Sequence, residues 1–376
     1  MTYEELKLEA AKYPDTMNDL ERMMGYAKGE EVDRVIVALA VCENQAPLYG
    51  YTLAQYRDSA AVQVDVARRA RMDFGVGAIM ANNMLGPRGV AQAFGSKVAS
   101  PENSGEYITE HVVKDYSVLD SLVFDPETNP VCQKVIGIAK EIKKITEGKC
   151  PVMCGLVGPL SIASCMREPG QLLRDLKRDP ENVHKLLDIC VQSQLKWLEY
   201  NIKEFGQVNI MVGDPAVASE LISPKMFREI CKPHIQDLAD GIEKIYGKRP
   251  GVSLVGKSHD IWTDYMEMGF ISFMPDGFED LEQLKKDVGH RMAISGNVPP
   301  VEVMVNGSID DVIESVKTCL IKGSDSPCGY TLAIGGQLGY GTPKENIEAY
   351  VYAARRYGRG AKRGQPCRGL IEEGLI

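Results

Sequence analysis

Two side chains of types that move protons or bind metal ions follow apolar runs in this sequence. Asp214 follows the run 208–212, and His259 follows the run 252–255. An imidazole can donate a proton or bind a metal, and a carboxylate beside it can hold that proton, bind the metal or accept from a substrate hydroxyl. Glu43 would complete a nitrogen and oxygen ligand set that zinc accepts. The simpler alternatives are a helix cap at Asp214, a backbone-bonded imidazole at His259 and a surface acid at Glu43.

Five more polar residues follow apolar runs and are candidates for contacting a substrate. They are Asn82, Asn83, Lys257, Asn297 and Gln337. The amide side chains can hydrogen-bond substrate oxygens, and Lys257 can bind a substrate carboxylate. Asparagine also forms turns, and a lysine is often only solvated, so each role has a structural alternative.

These candidates are positioned by a regular series of apolar runs. The runs cover 35–40, 76–80, 152–157, 208–212, 252–255, 271–274, 292–294 and 330–334. Helical patterns lie between most of them. Eight strand–helix units predict an α/β fold, the (β/α)8 TIM barrel, in which loops at the carboxyl ends of the strands converge. The polar residues after the strands are therefore predicted to form one site.

Helix boundaries are well marked in the second half of the chain. Asp179–Glu181 places Pro180 at the first helical position. A second helix is predicted from Ser223 to Gly247 with a kink at Pro233. Residues 342–345 read as a capping box that opens a last helix ending at Gly358.

The predicted organisation has three parts. They are an N-terminal helical extension (1–30), the barrel (31–358) and a C-terminal tail (359–376) that is either mobile or part of an oligomer contact, such as a homodimer. A long excursion after the second strand, between Leu85 and Pro130, is predicted to hold short strands at 97–99 and 111–113. Such loops on the functional face usually serve a site.

The composition excludes several classes of protein. A net charge of −9 over 376 residues argues against nucleic acid as a partner. No apolar run approaches the roughly 18 residues of a membrane span, and the acidic start Met1–Glu5 lacks the basic segment of a signal peptide. Ten scattered cysteines without a CxxC pair are typical of buried thiols in a reducing cytoplasm, as in an anaerobe.

Five stretches together resemble the uroporphyrinogen decarboxylase superfamily over about residues 30 to 358. They are 157–163, 213–215 with 222–224, 258–260, 295–298 and 342–346. The resemblance implies a (β/α)8 barrel. It also implies one of two activities: decarboxylation of uroporphyrinogen without a cofactor, or methyl transfer among small substrates, corrinoid proteins and thiols, usually with zinc.

The sequence departs from the decarboxylase branch at its substrate-binding positions. The arginine-rich loop of that branch corresponds to Ala40–Gln45, which has no arginine and contains the acid Glu43. The pyrrole-binding aspartate of the decarboxylase branch corresponds to Asn82 and Asn83, and its tyrosine corresponds to Cys165. The histidine in the last loop of that branch is replaced within Gly335–Gln337. A carboxylate in the first loop would repel an eight-carboxylate porphyrinogen.

The methyltransferase branch fits better, with a change at its zinc site. His259 matches the first zinc ligand of thiol-activating members, but Ile261 and Gly336 stand where that branch has cysteines. The resemblance then implies an O-demethylating enzyme that passes a methyl group from a methoxylated aromatic donor to cob(I)alamin on a partner corrinoid-binding protein, with or without zinc. A decarboxylase and a non-catalytic ligand-binding barrel are the alternatives.

Overall fold

The computed structural model of the chain describes residues 1–39, 42–77 and 79–376. In these ranges the strands are β1 (Val32–Arg34), β2 (Ile36–Ala38), β3 (Ala81–Asn82), β4 (Lys97–Ala99), β5 (Tyr107–Glu110), β6 (Val152–Val157), β7 (Asn209–Gly213), β8 (Gly251–Ser253), β9 (Ser272–Met274), β10 (Ala293–Ser295), β11 (Tyr330–Ala333) and β12 (Arg359–Ala361). The predicted first strand and its loop include Ala40 and Val41, and the predicted second strand includes Ala78. These three residues lie outside the described ranges.

The helices of the same ranges are α1 (Tyr3–Ala10), α2 (Asp19–Ala27), α3 (Leu53–Asp58), α4 (Ala60–Phe74), α5 (Gly86–Ala93), α6 (Pro130–Ile145), α7 (Pro159–Met166), α8 (Pro169–Arg178), α9 (Pro180–Phe205), α10 (Pro224–Met226), α11 (Lys232–Tyr246), α12 (Trp262–Glu267), α13 (Leu281–Val288), α14 (Ile309–Gly323), α15 (Lys344–Tyr357) and α16 (Arg368–Glu372). Short 3₁₀ turns cover Glu43–Tyr49, Tyr116–Ser121, Pro215–Val217 and His259–Ile261, and π-helical turns cover Phe227–Cys231 and Pro300–Val305. Within the described part of the chain, no helix is both long enough and apolar enough to cross a bilayer.

The chain divides into two compact units. One comprises Met1–Tyr51, Asp65–Ala78 and Ile271–Ile376, and the other comprises Thr52–Val64 and Ile79–Phe270. In the first unit, β2, β11, β10 and β9 pair in that order as parallel neighbours. In the second unit, β3, β6, β7 and β8 pair in the same way.

Eight parallel strands, four in each unit, thus occur among the described residues, which is the number predicted for a (β/α)8 barrel. Seven of them overlap the apolar runs that predicted them. The second is displaced, because β3 begins at Ala81, just beyond the run 76–80. The run 76–80 contains Gly77 and directly follows Gly75, and glycine weakens the preference for a strand.

The helix predictions were mostly confirmed. α9 begins at Pro180, with the Asp179 side chain accepting from the backbone of Asn182. A π-helical turn, Phe227–Cys231, interrupts the helical segment after Ser223 just before Pro233, whose ring nitrogen cannot donate, and the kink at Pro233 stays a prediction.

Two local predictions were wrong. The capping box at 342–345 is absent: α15 has Pro343 at its N-cap, and the Thr342 hydroxyl donates instead to the carbonyl of Gly339 at 2.8 Å. In the excursion, β4 lies where it was predicted, but its antiparallel partner β5 ends at Glu110 and not at Val113. Val113 is instead buried, with its N–H bonded to the carbonyl of Met166.

The predicted tail packs within the first unit. β12 pairs antiparallel with β1, joining Val32 to Ala361. α16 follows, and its Leu370 side chain is fully buried.

Substitution in α16 tests this packing. We expect Leu370→Ala to lower the free energy of unfolding by about 2–5 kcal/mol, because a buried leucine loses its contacts and leaves a cavity. The neighbouring Ile371→Ala, at a side chain that is 56% exposed, should change it by less than about 0.5 kcal/mol. Denaturant unfolding measures both. Equal, small effects for the two variants would show that the tail is not part of the folded core.

Candidate active site

The carboxylate of Asp214 is buried at the end of β7, within the second unit. The residue is 1% exposed. Its Oδ1 accepts from the Ser161 hydroxyl at 2.6 Å and from the Ser161 backbone N–H at 3.0 Å. The same hydroxyl oxygen accepts from the N–H of Ala216 at 3.0 Å. Asp214 is therefore joined to its own loop through a serine from another element.

This carboxylate occupies the place of a capping side chain for α7. Residue 158, the N-cap of α7, is a glycine, and Pro159 follows at the first helical position. A Cβ at Gly158 would lie 2.0 Å from Asp214 Oδ2, so only glycine leaves room for the carboxylate. The positive end of the helix and its unpaired N–H groups favour a negative charge there. Asp214 makes no direct side-chain bond to the 3₁₀ turn that follows it, so its link to its own loop runs through Ser161.

Burial dominates the electrostatics of Asp214. Desolvation raises its pKa to about 6, although the hydrogen bonds from Ser161 and the backbone N–H of Leu160 act in the opposite direction. Its Oδ2 is buried and has no hydrogen-bond partner in the structure. A carboxyl group with a pKa near neutrality can both accept and donate a proton under physiological conditions.

The groups around Asp214 are held in their neutral forms. Burial raises the pKa of Cys231 and Tyr265, and the negative charge of Asp214 raises it further. The pKa of Cys190 is raised for the same two reasons. Burial and the nearby carboxylate therefore both favour the protonated forms of these groups.

His259 has a different environment from Asp214. It opens the 3₁₀ turn His259–Ile261 after β8, and its side chain is 53% exposed. Its Nε2 lies 3.3 Å from the carboxylate of Asp260, and its ring faces the edge of Trp262 at a centroid distance of 6.3 Å. Ile261, two residues on, is 1% exposed. The loops of β7 and β8 thus present one buried carboxylate and one accessible imidazole.

Two of the predicted substrate-binding asparagines are engaged inside the protein. Asn83 is fully buried, and its amide nitrogen donates to the side chain of Asn201 on α9. Asn297 donates its two amide hydrogens to the carbonyls of Asp276 (2.9 Å) and Glu279 (2.7 Å), which braces the loop after β9. In this structure both side chains therefore have structural roles, which was the alternative to substrate binding for each of them.

The other predicted site residues are more exposed. Asn82, Lys257 and Gln337 are exposed, and the backbone N–H of Lys257 donates to the carboxylate of Glu220 at 2.9 Å. Glu43 is half-buried at the start of the 3₁₀ turn Glu43–Tyr49, in the first unit. The roles of these residues, and the zinc set of Glu43, Asp214 and His259, stay predictions.

The comparisons with known proteins assign the chain to a family. A family model described as uroporphyrinogen decarboxylase (URO-D) matches residues 18–357. The chain belongs to the URO-D family. The Asp214 site and the turn at His259 both lie within the part of this URO-D chain that the model matches.

Two archaeal methyltransferases are among the similar proteins. The methylated-thiol–coenzyme M methyltransferase of Methanosarcina mazei is 26% identical over 225 residues, or 59% of this URO-D chain and 57% of that protein. The methylcobamide:CoM methyltransferase MtaA of Methanosarcina barkeri is 24% identical over 224 residues, or 59% of this chain and 63% of that protein. The aligned part of the chain therefore spans less than two thirds of either relative. Bacterial uroporphyrinogen decarboxylases match at comparable identity.

A solved structure shows the fold. A methyltransferase from Methanosarcina mazei superposes with a TM-score of 0.72 and 20% identity, covering 89% of this URO-D chain and 97% of that one. The predicted α/β barrel class is thereby confirmed.

Sequence reasoning missed two parts of the Asp214 site, Ser161 and Gly158. The signal was present in Gly158–Pro159, since a proline-initiated helix with glycine at its N-cap lacks a capping side chain of its own. Such a helix needs an acceptor from elsewhere, and a buried acid at the end of a neighbouring strand can supply it.

Substitution of Gly158 tests the capping arrangement. Gly158→Ala should lower the free energy of unfolding by about 2 kcal/mol or more, because the added methyl group collides with the Asp214 carboxylate and displaces the cap. Gly137→Ala in α6 is the matched control, since a Cβ there meets nothing within 4 Å. The control should leave stability unchanged or raise it by up to ~1 kcal/mol. Similar effects at the two glycines would contradict the cap.

The raised pKa of Asp214 predicts a pH dependence of stability. The folded pKa of about 6 exceeds the ordinary value near 4, so the stabilisation is full below about pH 4 and is lost as the pH rises through about 6. Over this pH range the free energy of unfolding of the wild type should fall by up to about 3 kcal/mol relative to that of Asp214→Asn. Urea unfolding of both proteins from pH 4 to 8 measures the difference. A difference that stays constant with pH would exclude a perturbed carboxyl group.

Proposed function

We propose that this URO-D family protein transfers a methyl group from a small methoxylated aromatic compound to the cob(I)alamin of a partner corrinoid protein. The observation that carries this proposal is the buried, neutral-prone carboxyl group of Asp214 in a URO-D barrel whose position 261 is a buried isoleucine. The first feature suits proton donation to a leaving oxygen. The second disfavours activation of a thiol.

The residues present do not fit the thiol-activating type of zinc site. That site needs soft thiolate ligands and an open position. Ile261 is apolar and buried, and Gly336 has no side chain. Oδ1 of Asp214 already accepts hydrogen bonds from the backbone N–H and the hydroxyl of Ser161 at the start of α7. The proposed reaction therefore uses no step through zinc, and methyl acceptance by a thiol is disfavoured.

Methyl transfer from an aryl ether requires help at the leaving oxygen. The nucleophile attacks the methyl carbon, the carbon–oxygen bond breaks, and the leaving group departs as a phenolate unless it is protonated. Its conjugate acid has a pKa of about 10, like tyrosine. A positioned acid typically accelerates such a step by ~10² to 10⁴.

Asp214 is the acid that the structure suits best for this role. At neutral pH a carboxyl group with a pKa of about 6 still has a protonated fraction, and Oδ2 has no competing partner inside the protein. In the proposed mechanism Oδ2 carries the proton to the ether oxygen as the bond breaks. His259, accessible after the neighbouring strand β8, acts at the same substrate oxygen or orients the ring.

The partner is proposed from the relatives. MtaA is named for methylcobamide, a methylated corrinoid, and an imidazole at an accessible loop end leaves room for a corrinoid-bearing protein to approach. All ten cysteines are free thiols, which is consistent with the reducing conditions that cob(I)alamin needs.

Rates with a series of ring-substituted methoxybenzenes test the proposal. Methylcobalamin formation is followed by absorbance with cob(I)alamin on a corrinoid protein as the acceptor. The wild-type rate should depend weakly on the pKa of the phenol released, because the acid assists departure. The rate of Asp214→Asn should fall by a factor of ~10² to 10⁴ with poor leaving groups. It should fall much less with donors that release an acidic nitrophenol.

His290→Ala serves as the control, because His290 is an exposed histidine outside the site. It should keep the wild-type rate, whereas His259→Ala should lose at least about tenfold. No methylcobalamin from any donor would overturn the proposal. Coproporphyrinogen formed from uroporphyrinogen without a cofactor would replace it with the decarboxylase, and unchanged phenotypes in His259→Ala and Asp214→Asn would favour a non-catalytic barrel.

A further inference from the structure

Helices α9 and α11 carry a cluster of polar side chains that the proposed reaction does not use. The two helices pack against each other in the second unit. His184 and Asp188 lie four residues apart on α9, and His234 and Asp237 lie three apart on α11. Each pair therefore projects from one face of its helix. Ligand atoms of Asp188, His234 and Asp237 all lie within 4.8 Å of one another.

His234 is the buried member of this cluster, which we call the α9–α11 cluster. The residue is 5% exposed, whereas Asp188 and Asp237 are exposed. Its Nε2 lies 2.8 Å from Nδ1 of His184. Its Nδ1 lies 2.9 Å from Oδ1 of Asp188, yet this buried nitrogen makes no hydrogen bond of acceptable geometry.

The two ring nitrogens of His234 face different partners. A neutral ring has one N–H. With that proton on Nε2, the ring donates to His184, as metal-bound histidines commonly donate from their second nitrogen to a neighbour. The lone pair of Nδ1 then faces the carboxylate of Asp188.

Two lone pairs 2.9 Å apart repel unless a cation lies against both. A metal ion can bind both atoms at once, because two ligand atoms about 2.1 Å from one ion lie about 3 Å apart when the angle at the ion is near 90°. The separation of Nδ1 and Oδ1 matches that spacing.

We infer that His234, Asp188 and Asp237 bind a divalent transition-metal ion of the zinc class, with His184 as the hydrogen-bond partner that fixes the His234 ring. One imidazole and two carboxylates suit zinc, cobalt or nickel, whereas magnesium and calcium prefer oxygen ligands alone. The exposure of both carboxylates gives the ion access from solvent and leaves coordination positions for water.

The bound ion would act on stability. α9 precedes β7 in the chain and α11 follows it, so an ion held by both helices ties together the two elements on either side of the strand that ends at Asp214. The inference does not depend on the proposed function, because none of its four residues is assigned a part in methyl transfer.

Zinc binding to tag-free, chelator-treated protein tests the inference. Titration calorimetry should find one equivalent of Zn²⁺ bound by the wild type. Thermal unfolding should shift upward by about 3 °C at a free concentration near 100 times Kd. Co²⁺ should give an absorption spectrum of a nitrogen and oxygen site.

Asp188→Asn and Asp237→Asn, both at exposed positions, should each weaken Zn²⁺ binding at least tenfold without unfolding the protein, and His184→Ala should weaken it by about tenfold.

Two variants control the assignment. Asp240→Asn removes a carboxylate from α11 that pairs with Arg249 outside the cluster, and it should bind Zn²⁺ like the wild type. His259→Ala should do the same. No stoichiometric Zn²⁺ in the wild type would overturn the site and leave an ion-paired helix contact. Loss of Zn²⁺ in His259→Ala, equal affinity in the cluster variants, or an equal response to Mg²⁺ would also overturn it.

Discussion

The candidate site depends on a carboxylate placed at the start of a helix that cannot cap itself. α7 begins with Gly158 and Pro159, so one position lacks a side chain and the next lacks an N–H. Asp214 fills that position from the end of another strand and is fixed there by Ser161. The space that accepts the carboxylate exists only because residue 158 has no Cβ. A single glycine therefore determines both where the helix starts and where the acid lies.

The same contact places two opposing influences on the pKa of Asp214. A capping carboxylate usually has a lowered pKa, because N–H groups and the helix dipole favour its charge. Here burial outweighs those hydrogen bonds, and the pKa rises. Oδ1 accepts hydrogen bonds from Ser161 of α7, and Oδ2 has no hydrogen-bond partner. The arrangement holds one oxygen of the carboxyl group in place and leaves the other buried without a hydrogen-bond partner.

The sequence predicted the architecture better than the site. Apolar runs bounded by loop residues mark strands such as β6 and β7, because a buried parallel strand must be apolar along its length. Proline and acidic residues marked the start of α9 for equally local reasons. The roles of Ser161 and Gly158 were not predicted, because both depend on Asp214, which lies more than fifty residues away in the chain. Asn83 and Asn297 were assigned to substrate because an asparagine after a strand has the same local pattern whether it faces a ligand or, as here, Asn201 or a loop carbonyl.

The pairing of β1 with β12 has a consequence for biosynthesis. Val32 and its partner Ala361 lie more than 300 residues apart in the chain. β1 therefore cannot pair with β12 until all the residues between the two strands have been synthesised. Contacts so distant along the chain slow folding, and an uncovered strand is open to association with other molecules. Early protection by chaperones would matter more for this protein than for one whose first strand pairs with its immediate successor.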